Sequence, residues 1–274
     1  MIRHPLRYLA AAADLPRAHP IYHRAVRRAL DTGRLTASVR AELRSDLPYM
    51  SALTFTPEML GFDSLDAAAA AIAAGDERMR GTNHVDRERG LIIQAPFVEE
   101  GAHVDSRAEL TGGIHVSRGV FIAPEAIVRM DEKSGLAPMV IGPESNIQDE
   151  ALVHADHVAI GARCIVAHDA VVHGAKLADD VTVYIKAIVD TGAVVGPGTF
   201  LDAAAYVGRG VTIPPERYVA PMTAVTSDEI ARSLPPIDDG HRRMRADVLA
   251  HNAEHAQRYV RGQFDALAEI LDLA

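Results

Sequence analysis

From Val98 onward a branched aliphatic residue returns at every sixth position. The series runs Val98, Val104, Leu110, Val116, Ile122 and Val128. It resumes after a gap at Ile141, Ile147 and Val153, slips by one residue, and continues at Ile160, Val166 and Val172. A second slip follows near Ala178, before Val189, Val195, Leu201, Val207, Ile213 and Val219. A period of six matches neither a helical stripe nor the simple alternation of a half-buried strand. It is the repeat of a β-helix, in which each unit supplies one short strand and one corner. Three units close a triangular coil, and successive coils stack their aliphatics inside at about the 4.8 Å strand spacing. Glycines follow several of the aliphatics, as in Ile141-Gly142, Ile160-Gly161 and Val207-Gly208, where corners call for backbone freedom.

The flanks read differently. Residues 1–88 are expected to form a helical N-terminal extension, with Asp63 or Ser64 as an N-cap, an alanine-rich helix after it, and Gly75 as its stop. Such a segment can cap the open end of a β-helix, whose unpaired edge strands invite aggregation. Residues 89–225 are assigned to the β-helix and 226–274 to C-terminal helices. In the latter, Thr226-Ser227-Asp228-Glu229 opens a short helix to Leu234, and Pro235-Pro236 stops it. A long α-helix follows from about Asp239 to Leu271, with Met244, Val248, Tyr259, Val260, Phe264, Leu267 and Leu271 as an apolar stripe for one flank of the β-helix. The fold class is therefore mainly β, a parallel β-helix with helical ends.

Three histidines fall at telling places in the coil. His154 follows the inward Val153 and His173 follows the inward Val172, so the two occupy the same position one coil apart. Imidazoles stacked in this way can share a metal, since Zn–N bonds are about 2.0 Å. His168 lies two residues after Val166, on the preceding face or its corner, out of reach of that pair. A neighbouring subunit of a cyclic homotrimer can supply it. Three histidines with one open position are the ligand set of a catalytic rather than a structural zinc, and neutral imidazoles also suit Co2+ or Fe2+. A lone histidine in such a repeat is usually a surface residue; it is the shared coil position that argues for metal.

At these residues the chain resembles the γ-class carbonic anhydrases. The match runs from about Gly113 to Arg261. It includes Ala123-Pro124-Glu125-Ala126-Ile127-Val128-Arg129-Met130-Asp131-Glu132, Asn146-Ile147-Gln148-Asp149, the three histidines, Val211-Thr212-Ile213-Pro214 and Val225-Thr226-Ser227. The resemblance implies left-handed winding, which breaks the usual right-handed crossover rule. It implies metal ligation by His154 and His173 of one subunit and His168 of the next. Arg129 and Asp131 match an interfacial ion pair beside the site, Gln148 a residue that orients the attacking hydroxide, Asp149 a neighbouring carboxylate, and Glu132 a glutamate able to relay a proton. The implied reaction is reversible hydration of carbon dioxide to bicarbonate, with a metal lowering the pKa of water. Two departures stand out. Only Ala155-Asp156-His157-Val158-Ala159 separates His154 from Ile160, where some members carry a long acidic loop with a shuttle glutamate. Gly196-Pro197-Gly198 also stands where the archaeal enzymes place an asparagine. His157 is a substitute for the shuttle, against the plainer reading of a solvated loop residue.

Composition limits the alternatives. Net charge is −9 and the pI about 5.8, which argues against nucleic acid or an anionic membrane as partner. No run approaches membrane-spanning length, and the single cysteine, Cys164, allows no disulfide within the chain and no thiolate zinc cage. A cytoplasmic protein is expected. His251 and His255 are four apart on the long helix, but without a His-Glu-x-x-His pattern they read as a solvated face. A hexapeptide-repeat acyltransferase is the rival enzyme, needing one basic histidine and a coenzyme A groove. A non-catalytic assembly subunit on the same fold is the third reading.

Overall fold

The computed structural model describes residues 49–74, 82–131, 138–155 and 157–260. Its body is a left-handed parallel β-helix of about seven turns whose strands form three parallel sheets of eight, seven and seven strands. The six-residue ladder is its interior. Val98, Leu110, Ile122, Ile141, Val153, Val172, Val189 and Val207 are all almost wholly buried and belong to one continuous core. The second slip is placed more closely than the sequence allows: Leu177 and Val183 are also inward, so the short step lies between Val172 and Leu177.

All three departures from the six-residue step fall at one edge. The long step from Val128 to Ile141, the seven-residue step from Val153 to Ile160 and the five-residue step from Val172 to Leu177 each leave the eight-stranded sheet for the same neighbouring sheet. Every other step between described strands keeps six, so the cross-section is constant elsewhere.

The corners are built differently from the expectation. Their left-handed positions are held mostly by residues other than glycine, including Glu125, Glu150, Asp169, Asp180 and Lys186, with φ between 57° and 61°. Gly142 and Gly161 serve close approach instead. A Cβ on Gly142 would lie 2.4 Å from the carbonyl carbon of Gly161, and one on Gly161 2.7 Å from that of Ala178. Successive coils touch backbone to backbone there.

The three faces differ outside. One is covered by the long C-terminal helix, and its outward Phe121, Ile165 and Phe200 are buried. A second carries mixed residues, among them His115, Lys176 and Thr212. The eight-stranded face presents Ile127, Leu152, Val171, Ile188 and Tyr206 in one outward column. Within the described chain this column is only partly covered, and Ile188 is 39% exposed.

The helical expectation is corrected for the described residues 49–74 and 82–88. The helix α1 (Leu65–Ala73) forms with Ser64 accepting from Ala67 N at its N-cap, but it sits among strands. Tyr49–Ser51 pairs in parallel with Glu109–Thr111 and extends the eight-stranded sheet, while Leu53–Phe55, Asn83–Asp86 and Leu91–Gln94 make a small antiparallel sheet. The last of these precedes the β-helix, which begins at Phe97. These strands are three or four residues long, and their alternation is masked by the adjoining alanine run, whose helix propensity dominates a local reading. Phe55, Leu60, Ala68 and Ile92 give the unit its own small core. Residues 1–48 and the stop at Gly75 lie outside the described residues.

At the other end, α2 (Asp228–Ser233) starts on Ser227, which accepts from Ile230 N. The long helix α3 (Asp239–Val260) runs along the covered face; its expected continuation to Leu271 lies outside the described residues. Its contact is less apolar than the stripe suggested. Met244 is 38% exposed, while His241 packs on Phe200 and Tyr218, Arg245 donates to the Asp180 carbonyl, and Ala256 meets Phe121 and Ala123. Among the described residues no helix is long and apolar enough to cross a membrane.

Candidate metal centre

The expected residues gather at two places on the chain. Arg129, His154 and His173 are direct partners in the ladder of the eight-stranded sheet, at the edge where the period breaks. The rings of His154 and His173 are 5.3 Å apart between centroids. Arg129 donates to Asp131 Oδ2, and His154 Nε2 lies 3.1 Å from Asp131 Oδ1. Burial acts to raise the Asp131 carboxyl, but the hydrogen bonds and charges of Arg129 and His154 outweigh it and hold this group below its ordinary range.

His173 is held from behind. Its Nδ1 is 2.9 Å from Thr191 Oγ1. The carboxylate of Asp190 accepts from the Thr191 backbone N–H and also from the hydroxyls of Tyr206 and Thr191, and these together hold it low against burial. A Thr191 hydroxyl that donates to Asp190 accepts from an Nδ1–H of His173. That tautomer leaves Nε2 of His173 as a lone-pair donor, the arrangement common behind metal-bound histidine. The sequence alone does not point to Asp190 or Thr191, because only the stacking of coils brings them under His173.

Gln148, Asp149 and His168 lie at the opposite edge of the same face, at the corner it shares with the helix-covered sheet. Gln148 Nε2 donates to Asn146 Oδ1 at 3.0 Å, both side chains being buried. Asn146 Nδ2 is buried without a hydrogen-bond partner beside it. His168 sits one coil beyond Asp149, with Nδ1 3.2 Å from Asp149 Oδ2, and both are about half exposed. The acidic corner beside them is crowded: a hydrogen bond in which the protonated Glu150 carboxyl donates to Asp169, together with the charge of Asp169, raises Glu150. From His168 to His173 the chain crosses the width of the face, on the order of 16 Å at strand rise. Among the described residues no three candidate ligands converge within one chain. Glu132 lies outside the described residues.

The donor set fits a divalent metal. Two imidazoles are in register, one of them backed by the Thr191 hydroxyl, and among the described residues no thiolate is near. Cys164 is buried, its Sγ donates to the Ala178 carbonyl at 3.0 Å, and burial pushes its pKa up to about 12. It is a core residue with no nucleophilic character. His157 is in a left-handed turn, φ 64°, directly after the site edge.

His251 is exposed, as a solvated face requires, and His255 is half-buried. Their rings are 4.2 Å apart, and both line a cavity of about 610 Å³ whose far wall holds Gln148, Asp149 and His168.

No family model matches the chain. Among curated proteins it is similar to the carbonic anhydrase of Methanosarcina thermophila, 30% identical over 170 residues that make up 54% of this chain and 67% of that protein. It is 32% identical over 171 residues to the carboxysome assembly protein CcmM of Synechococcus elongatus, covering 57% of this chain and 31% of that one. A third relative is the mitochondrial gamma carbonic anhydrase 3 of Arabidopsis thaliana, 34% identical over 119 residues, 38% of this chain and 45% of the other. The chain thus spans two thirds of the archaeal relative and less than half of the other two. Among solved structures, a hexapeptide transferase family protein from Anaplasma phagocytophilum superposes with a TM-score of 0.52 at 20% identity, over 60% of this chain and 93% of that one. At that identity the likeness is one of fold.

Proposed function

The chain belongs to the γ-class carbonic anhydrase family, and from that premise we propose that it hydrates carbon dioxide reversibly to bicarbonate at zinc sites shared between the subunits of a homotrimer. The observation that carries this reading is the split of the site: His154 and His173 in register at one edge of a face, and His168 with Gln148 and Asp149 at the other. A three-fold rotation that packs this face against the next copy brings opposite edges together. The outward column of Ile127, Leu152, Val171, Ile188 and Tyr206 gives that contact an apolar surface. Each interface then holds three imidazoles.

Zinc held there supplies Lewis acidity that makes water a competent nucleophile near neutral pH. The chain's own groups do the rest. Thr191 and Asp190 fix the His173 ring. Asp131, kept anionic by Arg129, orients the His154 ring through its Nε2, the nitrogen that would hold the zinc. Gln148, anchored on Asn146, presents an amide to the attacking oxygen.

The test is complementation. His154→Ala and His168→Ala trimers are each expected to lose metal and hydration activity, with the β-helix intact. Mixed trimers of the two chains contain one interface with all three histidines, so they regain one metal and matching activity per trimer. Metal retained by His168→Ala alone would refute the shared site. The similarity to a carboxysome assembly protein supports a second reading, a subunit that keeps metal without turnover, and stoichiometric zinc with no hydration would select it.

A further inference from the structure

Besides the glutamate relay expected at Glu132, α3 offers a route for protons on the opposite edge of the face. This helix descends the covered face against the stack of coils. Ala256 meets Phe121 and Ala123, Arg245 meets Asp180, and His241 meets Phe200 and Tyr218. A helix rises about 1.5 Å per residue and coils are about 4.8 Å apart, so roughly three helix residues pass each coil. Counting back from Ala256, His251 is level with the two coils that carry Asp149 and His168. The cavity of about 610 Å³ joins these groups, with Gln148, Asp149 and His168 on the coil side and Asp247, His251 and His255 on the helix side.

Resting on the hydration reading, we propose that His251 is the proton-relay residue of this enzyme. A proton released from water at the site enters the cavity, is taken up by a free imidazole nitrogen of His251, and leaves to a solvent base; the hydroxide it leaves behind adds to carbon dioxide. His251 is suited to this because it is on the cavity wall and also exposed, and imidazole is the side chain that exchanges protons near neutral pH. His255 is half-buried, 4.2 Å from His251 between ring centroids, and packs toward Phe121, so it holds the His251 ring at the cavity mouth. The charged and titratable groups around His251 are Asp247, Glu254 and His255 on its own helix, Asp149 and His168 at the corner, and Tyr184 on the next coil.

Two measurements on the holoenzyme test this. First, with cobalt in place of zinc and ring-labelled histidines, the His251 signals should show paramagnetic shifts clearly larger than those of His241, ten residues away on the same helix and about 15 Å lower. Second, His251→Gln should lower kcat at low buffer concentration by about tenfold or more, leave kcat/KM unchanged, and recover with added imidazole, since a positioned acid–base group contributes on the order of 10²–10⁴. His157→Ala should leave kcat unchanged. His251 signals no more perturbed than those of His241, or an unchanged kcat in His251→Gln, would overturn the relay alone. A wild-type trimer that does not hydrate carbon dioxide overturns the relay together with the hydration reading.

Discussion

Replacing Thr191 by valine isolates what the structure asks of the group behind His173. The two side chains are nearly isosteric, and the backbone bonds of Thr191, its N–H to Asp190 and its carbonyl to Gly210 N, do not depend on the hydroxyl. What is lost is the hydroxyl, with its 2.9 Å contact to His173 Nδ1 and its support of the Asp190 carboxylate. A neutral hydrogen bond is worth about 1 kcal/mol, and one to a ring polarised by a metal about 1.5–3 kcal/mol. At about 1.4 kcal/mol per decade this gives a loss of zinc affinity of about 10- to 100-fold, the range typical for partners of ligating histidines. Competition with a chromophoric chelator at constant pH measures it, and the thermal midpoint of the metal-free variant serves as control. A midpoint within a few degrees of wild type with a 10- to 100-fold weaker site is the expected outcome. An affinity within about threefold of wild type would show that Thr191 does not orient His173, and the assignment of Nε2 as the ligating atom would fall with it.

Three further outcomes are expected. Asp131 is held below its ordinary range in the fold, so its contribution to stability is present above the unfolded carboxyl value of about 3.9 and disappears as pH falls through the lower folded value; the denaturant midpoints of wild type and Asp131→Asn should differ at neutral pH and converge below about pH 4. Gly161→Ala drives a Cβ to 2.7 Å from the backbone of Ala178 and should cost about 1–3 kcal/mol in chemical denaturation, as overpacking does, with no change in metal stoichiometry. The Cys164 thiol, pushed up to about 12 by burial, should not react with a disulfide reagent at pH 8 in the native protein and should react fully once unfolded.

The β-helix is legible in the sequence because its interior is a one-dimensional code: one inward aliphatic per six residues, with each coil contacting only its neighbours. His154 and His173 are legible for the same reason, since their offset from Val153 and Val172 places them in one column. The corners are not, because acidic and basic residues such as Glu150 and Lys186 occupy left-handed positions that a local reading assigns to glycine. Thr191 and Asp190 are hidden because their partner is a whole coil away. The role of His251 is hidden by a mismatch of pitches: helix and coil advance at different rates, and only their docking decides which helix residue meets which corner. The strands between Tyr49 and Gln94 are too short to outweigh the alanine tract between them.

The irregular steps after Met130, His154 and His173 have an evolutionary consequence. Because every anomaly in length is discharged at a single edge, the stack behaves as a ruled shaft with one adjustable margin. Chain can be inserted or removed there, from the five-residue step after Val172 to the thirteen-residue step after Val128, and the inward residues keep their register. Lineages on this scaffold are thereby free to lengthen, shorten or discard margin loops while the column that spaces the histidines stays the same. In a chain of this kind, the places where the meter breaks mark the margin that carries the proposed metal ligands before any functional residue has been recognised.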